Sequence, residues 1–329
     1  MERHPRSGAV LMFLRRHWLI TLAAVSLTGL IVLVNPGRIV RLFLSANRTD
    51  LVYMAPCVVL IYLTKGIGWW TALRRVGLKI TLRRALYVMF VGRTLIFVPT
   101  GDLMRIALLK EREQHGVNAG AVAGTIAFQE LVYTGLIGLG VLPRIGDHPE
   151  LIALVVAMLL AHAGIFGILL WKRLYEWAVG IVEKVRVFRR FDEQLRSLRP
   201  AFIQMTTPRV VILVILWNSC AVFFLMTLFY LAVVAVAGPH VGLGQTTFAY
   251  GLGHILGGLS LLPSGMGAME AIVAGLLVTQ GVPFYAGVAA VILFRAYNDI
   301  FSALVGALVG VLGGRFRGPL RRVQTFSKS

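Results

Sequence analysis

The chain has 329 residues, of which 57% are hydrophobic and only 14% charged, with a mean hydropathy of +0.79. That composition excludes a soluble globular protein, which at this length needs far more polar surface. The formal net charge is +19, but no RNA-binding signature accompanies the basic residues, and their placement in short loops accounts for them without nucleic acid.

Runs of about 20 apolar residues can cross a bilayer core roughly 30 Å thick. The first, WLITLAAVSLTGLIVLV at 18–34, has no small-residue cleavage site behind it and reads as a retained helix, not a removed signal peptide. Spans are predicted at 17–35, 51–72, 119–142, 150–171, 209–237 and 285–312. Two more apolar segments, 85–109 and 246–280, are interrupted. FVPTGDLMRIALL (97–109) and LLPSGMGAMEAIVAGLL (261–277) both break with Pro-hydroxyl-Gly and resume with one charge, Arg105 and Glu270. Between spans, 172–209 alternates apolar and charged residues at helical spacing. It is expected to be an amphipathic cytoplasmic segment lying on the inner membrane surface. Cys57 and Cys220 fall inside apolar spans, so no disulfide is implied. The seven histidines show no metal-ligand spacing, and neither metal nor cofactor is expected.

Loop charge sets the topology. The N-terminus, 73–84, 110–118, 172–209 and the tail after 314 hold 25 of the 33 Lys and Arg, whereas 36–50, 143–149 and 238–245 hold four. All basic loops share one side only if 85–109 returns to the side it left. The same logic makes 246–280 re-entrant from the opposite side. The expected fold is therefore an all-α polytopic membrane protein of two inverted repeats, each with three transmembrane helices and one re-entrant hairpin. The first repeat is 1–142, the second 143–314, and 315–329 is a basic cytoplasmic tail. Spacing agrees: Pro99 and Pro263 are 164 apart, and Arg105 to Glu130 and Glu270 to Arg295 are both 25, with the signs exchanged.

Pro and Gly end a helical path and permit a tight reversal. The helix that restarts presents free N–H groups, which Thr100, Asp102 or Ser264 could cap and which suit a phosphate or carboxylate. A charge at the bilayer centre costs about 2.5–3.5 kcal/mol on insertion scales. Arg93, Arg105, Glu130, Glu270, Arg295 and Asp299 therefore need partners or a wet cavity. Arg105, Glu130, Glu270 and Arg295 are expected to converge as one polar cluster, with Arg93 and Asp299 nearer an interface. Lys65, beside Trp69 and Trp70, is expected to snorkel. The small-residue faces Ser302, Gly306, Gly310, Gly314 and Gly253, Gly257 read as helix-packing surfaces, and His254 reads as structural.

At these residues the chain resembles the lysylphosphatidylglycerol synthase transmembrane-region family, whose best-known members are the flippase portions of bacterial multiple peptide resistance factors. Pro99, Gly101-Asp102 and Arg105 match its first motif. Pro263, Gly265, Gly267 and Glu270 match its second, with Ser264 replacing one Gly. Of the family's Glu-Arg followed by Asp, only Glu130 is present, with Leu131 and Tyr133 in the other places. The resemblance implies translocation of an anionic or aminoacylated phospholipid between leaflets of the inner (cytoplasmic) membrane, with both termini cytoplasmic. The chain ends 15 residues after Gly314, so synthesis of the lipid is not expected of it.

The expected substrate-binding set is Arg93, Pro99, Thr100, Gly101, Asp102, Arg105, Glu130, Pro263, Ser264, Gly265, Gly267, Glu270, Arg295 and Asp299, with no catalytic residue. Expected partners are the membrane and the phospholipid. A second copy in a homodimer and a separate lipid-synthesising enzyme are the candidate protein partners. The alternative is a membrane enzyme or enzyme subunit acting on a polyprenyl-linked or glycolipid substrate. It would want acidic residues in a watery loop, where the chain offers only Asp192 and Glu193.

Overall fold

The computed structural model describes residues 18–95, 101–110, 118–184, 192–260 and 265–313. Among them every regular element is helical, as a chain that must satisfy its backbone hydrogen bonds within lipid requires. Five helices are long and apolar enough to cross a membrane: Arg48–Arg75, Ala119–Asp147, Pro149–Leu170, Pro208–Ala237 and Phe284–Leu312. The first expected span appears as a shorter helix, Trp18–Leu33. Large apolar side chains such as Val156, Leu160, Ile165, Ile212, Phe223, Leu304 and Leu308 are exposed, the surface that lipid tails solvate. This is a multi-pass membrane protein.

In chain order the helices are α1 (Trp18–Leu33), α2 (Pro36–Ser45), α3 (Arg48–Arg75), α4 (Leu82–Gly92, continued by a 3₁₀ turn, Arg93–Leu95) and α5 (Gly101–Lys110). Then come α6 (Ala119–Leu139), α7 (Ile152–Leu170), α8 (Lys172–Glu183), α9 (Asp192–Met205) and α10 (Pro208–Ala237). The last are α11 (Leu243–Leu259), α12 (Ala268–Val278), α13 (Phe284–Arg295) and α14 (Ser302–Leu312), the final two joined by a π-helical turn, Ala296–Phe301. The chain divides into two units. One draws on Met1–Met54, Gly140–Arg144 and Leu228–Phe294, the other on Ala55–Leu139, Ile145–Thr227 and Arg295–Ser329.

In the first unit, α11 and α12 fold back on each other. Gly253 lies against Val273 and Gly257 against Met269, so closely that a Cβ on either glycine would collide. At the open end the Gln280 amide donates to the Gln245 carbonyl at 3.3 Å. The pairing is antiparallel, and the small-residue face packs helices as its spacing predicts. A core of Leu30, Val34, Ile39, Ala274, Val288 and Ala289 joins this hairpin to α1, α2 and α13. His254 stacks on Tyr250, which meets Phe229 and Phe294 edge-on or tilted.

In the second unit, α4 and α5 form another antiparallel hairpin. Thr81 caps α4 by accepting from the Arg84 N–H, and the Arg84 guanidinium donates to the Leu108 carbonyl at the far end of α5. Gly306 lets α14 approach α4 to where a Cβ would collide with the Phe90 carbonyl. The segment expected to be one surface helix is described as two, α8 and α9. Of these, α9 is packed: Phe202 and Met205 are buried with Phe128, Val210 and Val214, and Gly124 of α6 admits the α9 backbone at Leu198. Asn118 caps α6, accepting from the N–H groups of Gly120 and Ala121, and also receives the Ser197 hydroxyl of α9. The polar face of α8 and α9 is tied by Arg196 donating to Glu183 at 2.9 Å. Amphipathic spacing is here a helix-on-helix face rather than a helix-on-membrane one.

Candidate functional site

The site is built on one face of α3. Tyr62, Lys65 and Trp69 stand at i, i+3 and i+7 and so line up along the helix. Opposite them α6 presents Thr125, Gln129 and Glu130. The Trp69 indole N–H donates to the Thr125 hydroxyl at 3.0 Å, and the Gln129 amide donates to the Lys65 carbonyl at 2.6 Å. These polar links fix the register of the two apolar helices, where hydrophobic packing alone would specify little.

The first ionic node is centred on Glu130. Lys65 Nζ donates to both carboxylate oxygens at 3.0 Å and stands 3.7 Å from the centroid of the Tyr133 ring. Arg105 Nη1 lies 3.7 Å from Oε1 of the same carboxylate, and its guanidinium sits over the Trp69 ring. Gly92 of α4 leaves the space through which the Arg105 stem passes. The Lys65 and Arg105 side chains are 8% and 4% exposed, but that of Glu130 is 33% exposed. The carboxylate is thus the member open to a ligand.

The second node is centred on Asp299. Arg93 Nη2 lies 3.5 Å from Oδ1, and Arg295 Nη1 lies 3.6 Å from Oδ2. Arg93 also donates to the Asn298 carbonyl and stacks over the Tyr62 ring at 4.6 Å. The Tyr62 hydroxyl donates to the Asn298 carbonyl and side-chain oxygen, and the Asn298 amide donates to Asp299 Oδ1 at 2.9 Å. The π turn makes this possible. Its wider winding breaks the α-helical ladder at Ala296–Phe301, so that the Asn298 carbonyl can take bonds from other elements. Ser302 closes the turn by donating to the Asn298 and Asp299 carbonyls. Tyr62 and Lys65, one turn apart on α3, connect the nodes, and Arg93 acts electrostatically on both Lys65 and Glu130.

Of the 33 basic residues, 29 occupy the termini and the segments between apolar spans, and the other four are Lys65, Arg93, Arg105 and Arg295. All four are in these nodes. Among the described side chains they face two carboxylates, Glu130 and Asp299, which leaves a surplus of two positive charges. Such a surplus in an apolar protein is costly until an anion offsets it.

The structure thus joins Arg93, Arg105, Glu130, Arg295 and Asp299 of the expected set. The expectation that Lys65 snorkels is wrong: it is 6% exposed, held by Glu130 and Tyr133. Arg93 and Asp299, expected nearer an interface, are paired with each other. Glu270 belongs to the other unit, where it is fully buried and takes the Gly267 N–H at 2.6 Å, closing the first turn of α12. Gly265 and Gly267 have φ of 63° and 86°, a region that side-chain-bearing residues rarely adopt. Gly101 and Asp102 open α5. Pro99, Thr100, Pro263 and Ser264 lie outside the described residues. Sequence reasoning missed Tyr62, Lys65, Trp69, Tyr133 and Asn298. The signal for three of them was the shared i, i+3, i+7 face of α3.

The fold and these nodes define a class: a multi-pass helical membrane protein with a cation-rich ionic cluster set among apolar helices. A family profile described as the lysylphosphatidylglycerol synthase TM region matches residues 18–306. The chain belongs to that family. Comparison with curated proteins gives no match.

Proposed function

We propose that this protein moves a phospholipid with an anionic or aminoacylated headgroup between the leaflets of the inner membrane, without changing it chemically. The observation that carries this reading is the cluster of four cations around two carboxylates. A lipid phosphate seated between Arg93, Arg105 and Arg295 offsets the surplus charge and offers the bidentate geometry that guanidinium favours. The acyl tails remain in the bilayer and only the headgroup needs a polar path. The two helical hairpins act as re-entrant elements of inverted repeats that alternate access, with both termini cytoplasmic.

The test is dithionite quenching of fluorescent phosphatidylglycerol in proteoliposomes, with lipid identity checked by mass spectrometry before and after. Wild type is expected to move the lipid unchanged, and Arg105→Ala to slow movement by about a hundredfold, the scale of one lost charge-assisted contact pair. Arg105→Lys, which keeps the charge, separates loss of the site from loss of the fold. Movement no faster than in empty liposomes overturns the proposal. A new lipid species does so too, and favours an enzyme.

A further inference from the structure

The Glu130 node has the composition of a receptor for an ammonium group. A carboxylate accepts from it on one side and the face of a tyrosine lies on another, the pairing by which proteins hold amine ligands. In this chain that place is taken. The occupant is Lys65 Nζ, 3.0 Å from both Glu130 oxygens and 3.7 Å from the Tyr133 centroid. Lys65 is anchored as firmly as a resident group can be. It is 6% exposed, its own carbonyl is clamped by the Gln129 amide, and Trp69 one turn further along α3 is fixed to Thr125. Arg105 holds the same carboxylate from another direction.

Resting on the transport reading above, we infer that Lys65 is a built-in counterion that fills the amine position, so that the site selects a lipid whose headgroup carries phosphate charge with no compensating amine. Two facts converge on this. First, an incoming ammonium would have to displace Lys65 from Glu130 and leave that lysine buried beside Arg105, a loss that nothing in the node offsets. Second, the described side chains already carry two surplus positive charges, and a further cation in the same low-dielectric region raises the electrostatic energy. A phosphate lowers it, and the Arg93 and Arg295 guanidiniums around Asp299 are placed to receive one. The substrate class is therefore an anionic phospholipid such as phosphatidylglycerol rather than its aminoacyl ester.

The experiment compares retention of dioleoyl phosphatidylglycerol and its lysyl ester by the purified full chain in phosphatidylcholine nanodiscs, read by native mass spectrometry. Wild type is expected to retain phosphatidylglycerol over the lysyl ester by about tenfold or more, the scale of one charged contact. Lys65→Met, which keeps the length and removes the charge, is expected to shift that ratio at least tenfold toward the lysyl ester, because Glu130 and Tyr133 are then open to its amine. Lys65→Arg is expected to keep the wild-type preference. A wild type that prefers the lysyl ester overturns the inference, whatever the variants do. So does a Lys65→Met protein that binds phosphatidylglycerol with an unchanged ratio. Retention of neither lipid above phosphatidylcholine overturns the headgroup site itself, and with it the transport reading.

Discussion

The two helical hairpins begin from the same punctuation and end as different devices. The α11/α12 hairpin is closed by its glycines: Gly253 and Gly257 admit Val273 and Met269, and Gly265 and Gly267 carry the turn. Its one charge, Glu270, is the third residue after Gly267, the position from which a carboxylate reaches back to the cap N–H, and it does so at 2.6 Å. In the α4/α5 hairpin the charge is the fourth residue after Gly101 and is a cation, which the positive end of a helix repels. Arg105 therefore leaves its own helix terminus, crosses Gly92 and meets Glu130 on α6. One hairpin keeps its charge for itself and the other presents it. Sign and register after the break decide which.

The broadest way to break this comparison is topological. If both elements are hairpins that return to the side they left, single cysteines at positions 80 and 115, in a chain lacking Cys57 and Cys220, should both react with an impermeant maleimide from the cytoplasmic side only. Reaction of position 115 from outside would make the first element a crossing helix. The next largest effect falls on Glu130. Glu130→Ala leaves Lys65 and Arg105 buried without their carboxylate, and removing one partner of a buried pair costs about 3–5 kcal/mol. Thermal unfolding in detergent should show a large drop in midpoint, and Lys65→Met added to Glu130→Gln should recover part of it. A Glu130→Ala protein as stable as wild type would mean that the node contributes no stabilisation.

Much of this architecture is legible in the amino-acid sequence. Long apolar runs mark the spans, Pro-hydroxyl-Gly marks both turns, and small-residue faces at Gly253, Gly257 and Gly306 mark close packing, because each signal is local. The Arg105–Glu130 pair is also legible, since two charges in apolar helices must find partners. Lys65 misleads because a lysine between tryptophans has the composition of an interfacial anchor, and only the tertiary approach of α6 shows that a carboxylate waits for it. The π turn leaves no trace in periodicity. One extra residue per turn over six residues is too small a shift to read, although the adjacent Asn298 and Asp299 are its cause and its use. The amphipathic pattern of 172–209 identifies helices correctly and their neighbour wrongly, because a polar-apolar face does not say whether lipid or another helix covers it.

The finest test lies on Glu270, where the comparison predicts a small effect. Its carboxylate accepts from the Gly267 N–H inside its own first helical turn, so its work is to close that turn. Glu270→Gln keeps an acceptor oxygen at the same reach and loses only the charge beside the helix N-terminus, a change of about 0.5–1 kcal/mol. Transport of phosphatidylglycerol should stay within about twofold of wild type, a barrier change of no more than about 0.4 kcal/mol. Glu270→Ala also removes the acceptor and should lower the unfolding midpoint further, by roughly the 1–2 kcal/mol of a lost cap. If Glu270→Gln instead abolishes transport while its unfolding midpoint is unmoved, the carboxylate acts on the lipid, and both hairpins present their charges after all. If both variants lose transport in proportion to their loss of stability, the hairpin is a scaffold whose integrity the transport needs, and the contrast with Arg105 stands.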